Sequence, residues 1–201
     1  MSDIKIALPL GRAIFPALKR ADTKFNELGI YKCNVSVPAK EAASVMDKLS
    51  NIFKAHTGKA PAKAENTMWK MEIDEETGEE TGNVIFKCSV KNVQRRNGDL
   101  WDRRPKQFDA KGRPIDVDPY GGTELYVSAS VYEWAAGGKK GVSLQPMAVQ
   151  IINLVERGQG DDASAFGFGK HDGFELDEEE TSDNYNFGND NDQDDEESED
   201  F

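Results

Sequence analysis

The sequence has only two cysteines and two histidines in 201 residues. No CxxC pair occurs, and His56 and His171 stand alone, so the ligand spacings of a zinc site are missing. Cys33 and Cys88 lie in apolar, strand-like stretches, residues 31–37 and 84–90, and read as small buried thiols in a reducing compartment. The glycine-rich signatures that cradle nucleotide phosphates are absent, and neither histidine neighbours a serine or cysteine motif. No run approaches the roughly eighteen apolar residues of a membrane span. The opening Met-Ser-Asp-Ile-Lys-Ile-Ala-Leu-Pro-Leu is too short an apolar stretch for a signal peptide. A soluble intracellular protein without a membrane partner or cofactor is expected.

What is present is an uneven distribution of charge. Residues 161–201 hold seventeen acidic side chains and one lysine, a net −16. Residues 1–160 hold twenty-four Lys and Arg against twenty Asp and Glu, a net +4. The overall −12 therefore hides a mildly basic body behind an acidic tail. That tail lacks Val, Ile and Met, and cannot bury enough apolar area to offset the entropy of ordering. The expected organisation is one folded domain, residues 1–158, followed by a disordered segment, residues 159–201. A basic body points to a polyanionic ligand, and a tethered polyanion to a built-in competitor for it. Together they point to single-stranded nucleic acid.

Punctuation by Pro9, Gly11, Pro16 and Gly29 makes the first thirty residues read as irregular. Ile30–Pro38 alternates and ends at a proline, predicting a strand. Residues 40–56 place Ala43, Val45, Met46, Leu49, Ile52 and Phe53 near helical spacing, with Gly58 as the stop. A Lys/Ala/Pro connector, 59–66, follows. Residues 68–73 and 83–93 predict a hairpin with an acidic tip, and Asn97-Gly98 marks a second turn leading into 99–108. Another turn is expected at 109–113. In 123–134, Leu125, Val127, Ala129 and Val131 alternate with Tyr126, Ser128, Ser130 and Tyr132. A glycine turn at 137–141 and a last strand over 142–155 complete the body. Five or more strands with one helix predict a mainly β protein, a small antiparallel barrel of the OB type.

Basic and aromatic residues interleave on these strands and turns. They are Trp69, Lys70, Lys87, Lys91, Arg95, Arg96, Trp101, Arg103, Arg104, Tyr132, Trp134, Lys139 and Lys140. Binding a single strand needs this mixture, because cations follow phosphates while flat rings stack on bases without reading sequence. Phe86 reads as core, and Trp69 fits either the core or the surface. Tyr132 and Trp134, spaced i, i+2 opposite the apolar face, make the better platform. Arg103 and Arg104 point to opposite faces, so one of the two contacts phosphate. The acidic pairs Glu75-Glu76, Glu79-Glu80 and Asp116/Asp118 fit a solvated surface better than a metal-dependent nuclease. An acidic DNA mimic acting through its tail is the other alternative, but a mimic has no need of stacking rings.

The order of residues resembles the single-stranded DNA-binding protein of the T-seven-like podoviruses. The resemblance runs through Gly29 to Pro38, the following helix, Phe86-Lys87-Cys88, Gly121-Gly-Thr-Glu-Leu-Tyr-Val, Val131-Tyr-Glu-Trp134, Val142-Ser-Leu-Gln145, Leu154-Val155-Glu156 and the terminal Asp200-Phe201. It implies an OB barrel with an inserted helix, a homodimer, strand annealing, and action in the cytoplasm of an infected host cell. It further implies that Tyr132, Trp134 and Lys87 bind DNA. The tail, through Glu199, Asp200 and Phe201, would dock on a phage DNA polymerase and primase-helicase. Two departures affect the DNA path near the helix: the 59–66 connector is short, and Leu28 replaces an expected basic residue.

Overall fold

The computed structural model describes residues 4–24, 26–62 and 68–156. The acidic segment, with Glu199, Asp200 and Phe201, lies outside the described residues, as do its boundary with the body and part of the 59–66 connector. The strands are β1 (Lys5–Ala7), β2 (Gly11–Asp22), β3 (Ile30–Pro38), β4 (Trp69–Ile73), β5 (Glu80–Lys91), β6 (Val93–Gln94), β7 (Leu100–Trp101), β8 (Lys106–Phe108), β9 (Glu124–Ala136) and β10 (Lys139–Asn153). One helix, α1 (Ala39–Thr57), lies between β3 and β4.

Five strands close into a ring. The pairs β9–β2, β2–β3, β3–β5 and β9–β10 are antiparallel, and β10 returns parallel to β5, with Leu144 opposite Cys88. This is the OB-type barrel with an inserted helix. It departs from the all-antiparallel expectation at that closing contact and where β8 joins β10 in parallel.

The alternation of each barrel strand fills the interior. Cys33, Val35 and Val37 of β3, Phe86 and Cys88 of β5, Leu125, Val127 and Ala129 of β9, and Leu144 of β10 are all fully buried. Burial raises the Cys33 thiol to about 12 and drives Cys88 up as well, with Cys33 beside it adding to the effect, so both remain uncharged hydrophobes. Helix α1 turns Ala42, Val45, Leu49 and Phe53 onto the barrel, packing on β3, β5 and β10. Ala42 takes the buried position that the spacing assigned to Ala43, which is exposed. Gly58 ends the helix at φ 79°, its N–H donating to the Lys54 carbonyl at 2.8 Å.

The first thirty residues are not irregular. They form β1 and the long β2, whose register against β3 shifts between Ile14 and Ala17. Phe15 and Pro16 sit in that irregularity, where a residue without an N–H is tolerated. The 99–108 stretch that follows the Asn97-Gly98 turn holds two short strands, β7 and β8.

Two buried polar arrangements brace the barrel, one joining strands and one holding a loop. Glu72 accepts from Ser36 Oγ at 3.0 Å, Thr81 Oγ1 at 3.0 Å and Asn83 Nδ2 at 2.8 Å, and pairs with Arg12 at 3.4 Å. Asn92 donates to the Leu28 carbonyl at 2.8 Å and accepts the Arg103 N–H at 2.9 Å. It thereby ties the β2–β3 loop to the base of the β6–β7 hairpin.

Candidate nucleic-acid interface

The strand register decides which side chains share the outer surface. Cys33, Cys88, Leu144 and Val131 face inward from β3, β5, β10 and β9, so their neighbours face out. On β3 these are Lys32 and Asn34, opposite Ser89 and Lys87 of β5. On β10 they are Ser143 and Gln145, opposite Tyr132 and Ser130 of β9. With Leu144 seated at Cys88, the four strands present one continuous face. Lys87 and Tyr132 come together on it, and Lys91 extends its edge.

Tyr132 is 52% exposed, a ring open to solvent. Trp134 differs from the expectation of a free ring, being half-buried and lying across the backbone of Gly141. Any Cβ at Gly141 would collide with the indole. His56 Nε2 donates to the Trp134 carbonyl at 3.1 Å, which fastens the end of α1 to this part of β9. Neither Gly141 nor His56 was legible as part of the site. Gly141 reads as an ordinary turn glycine, and His56 lacks a motif. Lys139 and Lys140 stand exposed at the tip of the same hairpin.

The β6–β7 hairpin supplies further cations. The Arg95 and Arg103 guanidiniums lie 5.6 and 5.2 Å from the centre of the Trp101 ring, within cation–π range. Arg103 also donates to Gln145 Oε1 at 2.6 Å, reaching the face that carries Tyr132. Arg96 is exposed at the turn. Arg104 points elsewhere: it donates to the Leu18 carbonyl at 3.3 Å and pairs with Asp116. The hydrogen bond from Arg104 to Asp116 holds that carboxyl below its ordinary range. The two adjacent arginines thus face different ways, with Arg103 toward the interface and Arg104 as a brace. Trp69 is buried in the core and offers no stacking surface, whereas Lys70 beside it is exposed.

Among the described residues, no helix is long and apolar enough to cross a membrane, and no three His, Cys, Asp or Glu side chains converge on a metal position.

No protein-family model and no curated protein matches the chain. Solved structures do. The crystal structure of gp2.5, a single-stranded DNA-binding protein encoded by bacteriophage T7, matches with a TM-score of 0.62 and 20% identity, covering 88% of this chain and 100% of that one. The single-stranded DNA-binding protein from bacteriophage Enc34, in complex with ssDNA, matches with a TM-score of 0.56 and 13% identity, covering 76% and 88%. The resemblance read from the sequence therefore holds at the level of the fold: this chain has the fold shared by these phage single-stranded DNA-binding proteins.

Proposed function

We propose that this chain is a non-enzymatic single-stranded DNA-binding protein that coats and protects single strands during phage replication and recombination. The observation carrying this reading is the continuous outer face on which Lys87, Tyr132, Trp134 and the Arg103–Gln145 pair lie together. The Enc34 protein, of similar fold, forms a complex with ssDNA. In this reading residues 1–158 bind the strand and promote annealing, and the chain acts as a homodimer. The acidic segment, with Glu199, Asp200 and Phe201, recruits the phage polymerase and primase-helicase.

A gel shift with single-stranded and duplex DNA in magnesium tests the proposal. A shift selective for single strands, without cleavage, is expected. No shift would favour a DNA mimic, and cleavage a nuclease. Within this reading, Tyr132→Ala is expected to weaken single-strand affinity by about 1–3 kcal/mol with an unchanged unfolding temperature. Trp134→Ala should lower both, because its ring also packs on Gly141.

Trp101 has a different role. With two guanidiniums held against it, the ring acts as a support for Arg95 and Arg103. Trp101→Ala is then expected to reduce affinity and also flatten the log–log salt dependence, by about 0.7 for each phosphate no longer neutralised. Trp101→Phe should largely restore both. A fall in affinity at constant salt slope would assign Trp101 to base stacking instead.

A further inference from the structure

Phe15 is 81% exposed, the largest exposure of any large apolar side chain among the described residues. Its φ of 45° is also the only positive value at a described residue other than glycine. A wet aromatic ring and a left-handed backbone both disfavour this arrangement, and such strain characteristically persists where a ligand is held. The irregularity of β2 places Phe15 between the Ile14–Asn34 and Ala17–Lys32 pairs. There it lines a cleft of about 1160 Å³, together with Lys32, Asn34, Lys70, Ile85 and Tyr120.

Asn34 is the cross-strand partner of Lys87, so this cleft continues the face that carries Tyr132. Its electrostatics differ from that face. Lys32 is paired with Asp22, Arg12 with Glu72, and Asp74 and Glu75 also line the cleft. With Lys70 counted, three cations face four carboxylates around walls that include Ile14, Phe15, Ile85 and Tyr120, and such a recess suits a flat uncharged group and not a phosphate.

We propose that Phe15 is a second stacking platform, receiving a nucleobase of a single strand that runs on from Lys87, with the phosphates left on the basic side. This rests on the single-strand-binding function proposed above. It divides the surface into a cation-rich part around Lys87 and Arg103 and a base-holding part around Phe15.

The test uses the full chain and its Phe15→Gly variant, with oligo-dT from about 4 to about 16 nucleotides, the range of OB-fold site sizes. Glycine adopts the left-handed conformation freely, so Phe15→Gly should unfold at the same or a higher temperature. Its affinity for the longer oligonucleotides should fall about tenfold, within the range of a single base stack. The salt slope should not change, and the shortest oligonucleotides should bind as before. Phe15→Tyr should bind like the parent at every length. Equal binding by Phe15→Gly at all lengths would overturn the subsite while leaving the proposed function standing. A lowered unfolding temperature would assign the ring to packing and also overturn it. If the parent itself bound no single strand, the proposed function would fall, and the subsite with it.

Discussion

Removing residues 161–201 is expected to tighten single-strand binding by about 10- to 100-fold at low salt, within the usual range of coupling between two competing ligands. The segment carries seventeen carboxylates and one lysine on the same chain as a body of net +4. A polyanion tethered to a basic body is expected to compete with phosphates for that body's cations. The gain should shrink with added salt, because the screening length falls from about 30 Å at 0.01 M to about 8 Å at physiological ionic strength. Titrating labelled oligo-dT against the full and shortened chains across a salt series measures this. A deletion that left affinity unchanged at low salt would remove the competitor role. A deletion that weakened it would make the segment part of the binding surface.

The second large effect concerns the fold. Glu72→Ala is expected to cost about 3 kcal/mol of unfolding free energy, because it strands the Ser36 hydroxyl and removes charge-assisted hydrogen bonds. Burial alone pushes the Glu72 carboxyl up, but hydrogen bonds from Asn83, Ser36 and Thr81, with the Arg12 charge, outweigh it and leave the pKa lowered. A carboxyl that is more acidic folded than unfolded stabilises the protein above its unfolded value, about 4.3. That contribution disappears as pH falls through the lower folded value. Urea unfolding of parent and variant should therefore show a wide gap at pH 7 that narrows toward about pH 3. A gap independent of pH would place the loss in packing and not in the ionised network. Glu72→Gln should fall between the two, since its amide can accept the three hydrogen bonds but presents an N–H to Arg12.

Local pattern made much of this molecule readable. The alternation in Ile30–Pro38 and around Leu125–Val131 gave two barrel strands, helical spacing gave α1, and Asn97-Gly98 gave a hairpin. β2 was not readable, because Gly11 and Pro16 resemble loop punctuation until a register shift beside Phe15 absorbs the proline. The return of β10 beside β5 pairs Leu144 with Cys88 across fifty-six positions, and no local signal encodes such a contact. The Glu72 partners are likewise scattered, from Arg12 to Asn83. For the site, composition identified the kinds of residue, but only their distant partners separate Arg103 from Arg104, and only register sets Lys87 and Tyr132 on one face with β10 between them. The exposed ring and left-handed backbone of Phe15 are likewise nothing that composition carries.

The barrel closes between β5 and β10 through one paired position, Cys88 with Leu144, while its other seams are antiparallel. That join lies under the face between Lys87 and Ser143. A strand bound from Lys87 to Tyr132 would cross it like a splint across a crack. Ligand and closure then reinforce one another, because binding only to the shut barrel draws the equilibrium away from the opened one. Occupied protein would then resist breathing at this join first, and the two thiols paired across β3 and β5, Cys33 and Cys88, stand close enough to report it through their rate of labelling.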